Sequence, residues 1–234
     1  MRTQHAPLLA ELHAHTTWSD GALTPAQLVD LHGLAGFDVL AITDHVLAGE
    51  LDVYVRAETY RAYLDEISVE AERARARYGM LVVPGLELTA DDPDPKRAGH
   101  AVAVGLRTFV SVDDGLDAAL RQARAQGAAL IAAHPYRLPE AAESPRGTAR
   151  FAVEPEWAAG AVDRFELYNR RERFDWVAER DLPSVATGDF HLPEHLFTWK
   201  TLLECPREED AVVELLCSRS RLPLMRLEAS LVAA

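Results

Sequence analysis

The chain is short of cysteine, of lysine and of long apolar runs. Its 234 residues hold two cysteines, Cys205 and Cys217, which form no CxxC pair and lie in a late segment. That usage argues against a disulfide framework or a thiolate zinc site, and both are expected to be buried thiols. Lysine occurs only at Lys96 and Lys200, neither within a recognisable apolar strand. No apolar run approaches the ~20 residues of a membrane span, so no membrane partner is expected. The start, Met1-Arg-Thr-Gln-His-Ala-Pro7, lacks the apolar core of a signal peptide, and a cytoplasmic location is the expectation. No repeat or low-complexity segment stands out. A net charge of −13 disfavours long nucleic acids as partners. It leaves room for a small anionic substrate, because bound divalent ions reverse the local sign.

What is present is a globular composition, 48% hydrophobic and 26% charged, with length for an ample core. A single domain over residues 1–234, with a helical tail from about 205, is the expected organisation. The most informative stretch is Glu11-Leu-His-Ala-His-Thr-Thr-Trp-Ser-Asp-Gly21. Residues Leu8 to Leu12 read as a strand. Side chains two apart on a strand share a face, so His13 and His15 point the same way if the strand continues. Two imidazoles so placed grip a metal ion. A polar turn returns Asp20 towards them. Thr24-Pro25-Ala26-Gln27 then opens a helix, with Thr24 as N-cap and Gln27 closing a capping box.

Further along, apolar strands alternate with helical segments about seven times. Strands are expected at 37–43, 80–88, 100–105, 128–133, 162–167 and 183–187, after the first. Helices are expected from Thr24, over 56–78, from 111 to 127, to about Arg180 and near 207–218. Residues 137–150 read as a loop that covers a site. The alternation predicts a parallel α/β fold, with a closed or nearly closed barrel. Barrel chemistry sits at the C-terminal ends of strands. His13, His15, His45, His134 and His191 fall there or just beyond, with Asp20, Glu87 and Asp189. His100 is the exception, because it opens its strand. Six histidines and three carboxylates give nine candidate ligands. The set suits zinc, manganese or iron, is too nitrogen-rich for calcium or magnesium alone, and is too large for one ion. Taken singly, several members have ordinary explanations: His45 as a hydrogen-bonded core histidine, His134-Pro135 as a strand end, Asp189 and His191 as a turn and cap. Glu87 in an apolar strand is harder to explain without a cation.

Together, His13-Ala-His15 with Ser19-Asp20-Gly21, then Thr43-Asp44-His45, Gly85-Leu-Glu87, His100, His134-Pro135 and Gly188-Asp189-Phe-His191 resemble the PHP (polymerase and histidinol phosphatase) family. All the motifs occur in order, over residues 8 to 195. The resemblance implies a distorted (β/α)7 barrel and a trinuclear site of two to three divalent ions, manganese, zinc or iron. It places one ion on His13, His15, Glu87 and Asp189. A second shares Glu87 and takes His100 and His134. A third lies on Asp20, His45 and His191. Some relatives carry His where this chain has Asp20, and a carboxylate there favours manganese or iron over zinc. Asp44 is the expected partner of a ligand imidazole.

The implied activity is hydrolysis of a small phosphate mono- or diester, such as a nucleotide or an amino-alcohol or sugar phosphate, by a metal-bound hydroxide. Glu87, Asp189 and His191 are the expected catalytic residues. Arg137 and Arg170 are candidate phosphate-binding residues, each balanced by an equal case for a solvated arginine. Two other functions compete. One is metal-dependent hydrolysis of a carbon–nitrogen bond, disfavoured because related barrels use a carbamylated strand lysine. The other is a non-catalytic metal-binding or regulatory module.

Overall fold

In chain order the computed structural model has strands β1 Leu8–Glu11, β2 Val39–Ile42, β3 His45–Leu47, β4 Leu81–Ala90, β5 Gly99–Val104, β6 Ala129–Ala133, β7 Arg164–Asn169, β8 Glu172–Arg173, β9 Ser184–Thr187, β10 Trp199–Leu203 and β11 Leu224–Arg226. Its helices are α1 Pro25–Leu34, α2 Tyr60–Tyr78, α3 Leu116–Ala125, α4 Glu140–Glu143, α5 Arg150–Val153, α6 Pro155–Ala161, α7 Asp175–Glu179 and α8 Glu209–Cys217. The structure describes residues 6–49, 53–138, 140–144 and 147–229. Part of the expected 137–150 loop (139, 145 and 146) lies outside the described residues, and α4 occupies part of the remainder.

The strands form one mixed sheet in the order β11-β10-β1-β2-β4-β5-β6-β7-β8, with β3 beside β4 and β9 beside β7. All seven expected strands are present, but the sheet is not wholly parallel. β5 runs antiparallel to β4 and β6, and β10 antiparallel to β1. The cause is the connection. Parallel neighbours need a crossover of a dozen or more residues, usually a helix. Only a loop rich in Asp and Pro joins β4 to β5, and only a 3-10 turn at Pro193–Leu196 lies between β9 and β10. The chain therefore returns in the opposite sense both times.

The sheet curls on itself. His15 N–H donates to Phe190 O at 2.8 Å, and Phe190 N–H to His13 O at 2.9 Å, drawing the segment beyond β9 alongside the one beyond β1. Lower down, the Thr201 hydroxyl of β10 donates to Ala186 O of β9 and accepts from Ala186 N–H, each at 2.9 Å. The concave face carries Val39, Ala41, Val83, Val102, Val104, Ile131 and Val185, with Val212 and Leu216 of α8 packed among them. The opposite face carries a second apolar layer against α1, α2 and α3, with Leu28, Tyr63, Ile67 and Leu120 in it. Strand periodicity then places the site. Glu87 lies four residues beyond Val83, and His100 two before Val102, so both share the concave face.

Several sequence expectations need correction. Residues beyond 205 are not purely helical, because β11 follows α8 and pairs with β10. Strand β10 was not anticipated, because Lys200 sits inside it. That lysine is fully buried in a strand, contrary to expectation. Cys205 is buried as expected, whereas Cys217 is exposed at the end of α8. The helix expected from Ser111 starts only at Leu116, because the Ser111 hydroxyl bonds Asp113 locally. The capping box at Thr24 forms as read, with Gln27 N–H donating to Thr24 Oγ1 at 3.3 Å.

Candidate metal centre

The centre grows from the strand ends. β1 stops at Glu11, and the chain continues past His13 and His15 into a tight turn. A side chain at Gly21 would bring its Cβ within 2.3 Å of His15 O, so this turn accepts only glycine after Asp20. β2 ends before Thr43-Asp44, β3 opens on His45, and β4 carries Glu87. The antiparallel course of β5 resolves the exception of His100. Its start lies at the same end of the sheet as the C-terminal ends of its neighbours, with His100 opposite Ala133 and Thr89. His134, Arg170 and Asp189 follow β6, β7 and β9. All three have positive φ, at 29°, 52° and 41°. Non-glycine residues adopt that region at a cost, and it clusters at functional sites.

Glu87 is the hub. Its Oε2 lies 3.0 Å from His13 Nε2, 3.2 Å from His15 Nε2 and 3.1 Å from His45 Nδ1. Its Oε1 lies 3.2 Å from both His100 Nδ1 and His134 Nε2. Asp189 Oδ1 stands 3.6 Å from His13 and 3.5 Å from His15. On the open side, Asp20 Oδ1 is 3.1 Å from His191 Nε2, 3.6 Å from His45 Nε2 and 3.8 Å from His15 Nδ1. All nine candidate ligands are thus in one place.

Three sets have donor atoms within 4.8 Å of one another: His13, His15 and Glu87; Glu87, His100 and His134; and His15, Asp20, His45 and His191. His15 therefore sits between two sets rather than in one. Asp189 Oδ1 borders the first set.

The donor chemistry fits divalent cations. His15 Nε2 and His100 Nδ1 are buried and make no hydrogen bond, although a Glu87 oxygen lies 3.2 Å from each. Buried polar atoms are rarely left without a partner. Electrostatics points the same way. Burial opposes a charge on His13, His15 and His100, yet the surrounding carboxylates raise all three, His15 and His100 to about 9. Burial instead lowers His45 to about 3. Glu87 and Asp189 are held well below the usual carboxylate range, because the imidazoles around them outweigh burial. Protons here occupy positions that a divalent cation could take.

Most ligand imidazoles have a partner on the other nitrogen, which fixes the ring. His13 Nδ1 pairs with Glu166 Oε1 at 2.9 Å, His45 Nδ1 with Thr89 Oγ1 at 2.7 Å, His100 Nε2 with Asp91 Oδ1 at 2.8 Å and His134 Nδ1 with Thr148 Oγ1 at 3.1 Å. Glu166 is the residue that the sequence reading missed. It also accepts from His134 N–H at 2.6 Å, Asn169 Nδ2 at 2.7 Å and the Thr187 hydroxyl at 2.6 Å. Its signal was a carboxylate within an apolar strand, the same one that marked Glu87.

The Asp44 carboxylate turns to Thr16 and Ser19 rather than to an imidazole, accepting from Thr16 N–H at 2.7 Å and from the Thr16 and Ser19 hydroxyls at 2.8 and 2.6 Å. It shapes the turn bearing Asp20, with Ser19 Oγ in turn 3.4 Å from His15 Nδ1. Arg170 reaches the centre, with Nη2 3.2 Å from Asp189 Oδ2 and 2.9 Å from His191 Nδ1. Arg137 does not. It pairs with Glu179 and lines a neighbouring cavity with Tyr136 and Trp176. The mouth of the centre is a cavity of about 390 Å³, where Leu47, Tyr54, Thr89, Asp91 and Arg170 join the ligands.

No protein-family model matches the chain. A 3',5'-nucleoside bisphosphate phosphatase of Chromobacterium violaceum is 33% identical over 123 residues, 53% of this chain and 38% of that protein. The match therefore spans less than half of that relative. A solved two-domain protein of Bacteroides vulgatus, containing a predicted PHP-like metal-dependent phosphoesterase, superposes with a TM-score of 0.66 at 21% identity. It covers 95% of this chain and 65% of that one. The fold is PHP-like. An amidohydrolase of Chromobacterium violaceum, solved with bound sulfate and no metal, superposes with a TM-score of 0.57 at 16% identity over 94% of this chain and 99% of that one. The PHP-like fold expected from the motifs is thus met in structure, and the relative matched in sequence is named a phosphatase.

Proposed function

We propose that this chain is a metal-dependent phosphoesterase acting on a small phosphate mono- or diester. In this reading it is a distorted seven-stranded PHP barrel holding two to three divalent ions, manganese, zinc or iron. The observation that carries it is Glu87, a buried carboxylate among five imidazoles, two of which have a buried nitrogen without a hydrogen bond. Bound ions supply an activated water and positive charge for the phosphoryl oxygens.

The chain's own residues do the rest. His13, His15, Glu87 and Asp189 hold one position, Glu87, His100 and His134 a second, and Asp20, His45 and His191 a third. Glu87 keeps the first two sets at a fixed separation. Glu166 holds His13 and the backbone of His134 together, so two ligands from different strands share one support. Arg170 orients Asp189 and offers a guanidinium edge at the cavity mouth for a phosphate oxygen. Arg137 takes that role only if it leaves Glu179. Among the described residues no helix is long and apolar enough to cross a membrane.

Hydrolysis of a carbon–nitrogen bond is less well supported. Lys200 is buried on a strand, but its ammonium is committed to Glu11 at 2.6 Å. The test is paired: elemental analysis of the purified protein, and turnover of p-nitrophenyl phosphate and its bis-ester with added manganese or zinc. Bound metal with turnover is expected. Absence of metal, and of any gain on adding it, overturns the proposal.

A further inference from the structure

A buried ion pair lies beneath the centre and outside it. Lys200 on β10 and Glu11 at the end of β1 are both fully buried. Lys200 Nζ donates to Glu11 Oε2 at 2.6 Å, Thr198 Oγ1 at 2.7 Å and His195 O at 3.2 Å. That uses all three ammonium donors. Glu11 Oε1 accepts from Gly188 N–H at 2.8 Å, Leu12 N–H at 3.1 Å and His13 N–H at 3.3 Å. The fit is tight. A Cβ at Gly188 would stand 2.3 Å from Glu11 Oε2 and 2.5 Å from Lys200 Nζ.

Stability alone does not explain such a pair, since buried ion pairs are often no better than apolar residues of the same shape. Its connections do. Through one oxygen, Glu11 binds the backbone of two segments. One leads into His13 and His15. The other is the turn that presents Asp189 and His191. Those segments come from opposite ends of the chain. We infer that Glu11 and Lys200 are positioning residues for the metal centre: the pair sets the separation of the His13–His15 and Asp189–His191 segments, and so the affinity and geometry of metal binding, without touching an ion. Lys200 neutralises the carboxylate so that it stays buried, and Gly188 admits it between the segments. This inference rests on the proposal that the centre binds divalent ions.

The test uses the whole chain, with Mn²⁺ affinity measured by competition with a chelator and the visible absorption of the Co²⁺-loaded protein. Two variants are compared with wild type, each with its metal-free unfolding midpoint. The double variant Glu11→Gln/Lys200→Met leaves no unpaired buried charge, and Gly188→Ala crowds the same contact with no change of charge. Both are expected to bind Mn²⁺ about 10- to 100-fold more weakly and to shift the Co²⁺ bands. Lower midpoints with affinity within about twofold of wild type and unchanged bands would overturn the inference. If the double variant does not fold, Gly188→Ala decides on the same criteria. A wild-type chain that binds neither ion fails the functional proposal instead, which keeps the two failures distinct.

Discussion

Two of the buried polar centres among the described residues are of opposite design. At the open end of the sheet, Glu87 collects five imidazoles, and two of their nitrogens make no hydrogen bond. At the other end of the same face, the Arg164 side chain of β7 lies buried against the end of α8. Its Nε donates to Leu216 O at 2.8 Å, Nη1 to Ser220 O at 3.0 Å, and Nη2 to Leu215 O at 2.9 Å and Ser218 O at 2.8 Å. One guanidinium thus satisfies carbonyls that a helix C-terminus leaves without partners. That centre is complete as it stands. The candidate metal centre still holds buried nitrogens without a hydrogen bond. A finished polar network stabilises a fold, whereas an unfinished one marks where a ligand belongs. The comparison makes a sharp claim: damage to one centre should spare the property that the other supports.

The largest effect is expected at Glu87. Glu87→Gln removes the charge shared by two ligand sets. Phosphatase turnover should fall by several kcal/mol of barrier, about 10³-fold or more, with loss of bound metal. The fold should survive, because the Arg164 anchor is untouched. Steady-state kinetics, elemental analysis and circular dichroism of one preparation check all three. A variant that keeps its metal and its rate removes Glu87 from the centre.

Arg164→Leu is the converse. It strands carbonyls at the end of α8 and is expected to destabilise the chain by about 3 kcal/mol. Denaturant titration measures the loss. Metal content of the folded fraction should remain at the wild-type value. If metal is lost in proportion to stability, the two centres are not independent.

How much of this was legible follows from the same contrast. The side chains gathered at the candidate centre are of a few types at strand ends, and such residues stand out in apolar surroundings; the grouping of His13, Glu87 and Asp189 was readable for that reason. Arg164 bonds mainly to main-chain carbonyls at and just beyond the end of a distant helix, which leaves no pattern in residue types. Glu11 and Lys200 lie 189 residues apart, and only the curl of the sheet brings them together. The sense of β5 was hidden too, because periodicity gives a strand and its faces but not its direction. The place of Arg137 was hidden for a similar reason: a loop sets an arginine near a site in sequence, and its pairing with Glu179 is visible only in the fold.

Proton release gives a smaller effect, confined to the metal centre. Without ions, His15 and His100 titrate at about 9. Below that pH each carries a proton that a coordinating nitrogen must lose. Metal affinity should therefore rise with pH, by about tenfold per unit for each proton that leaves. Chelator competition between about pH 6 and 8 measures the slope. A flat profile would show that neither imidazole gives up a proton to a metal.

The smallest effect concerns a histidine that belongs to neither centre. His32 of α1 is fully buried beside the rings of Phe37 and Phe190, with centroids at 4.7 and 5.0 Å. Its Nδ1–H donates to Leu28 O at 3.0 Å. Burial drives its pKa down to about 3. The sign is therefore opposite to that of His15. The folded chain keeps His32 neutral while the unfolded chain protonates it near 6.5. Its contribution to stability is fully present above that value. It is lost as pH falls towards 3, at about 1.4 kcal/mol per unit. Because Leu cannot titrate, His32→Leu should flatten the acid limb of the metal-free stability curve by that slope, while the neutral-pH metal affinity stays as in wild type. An unchanged acid limb would mean that the imidazole is already protonated in the fold, with a partner for the charge.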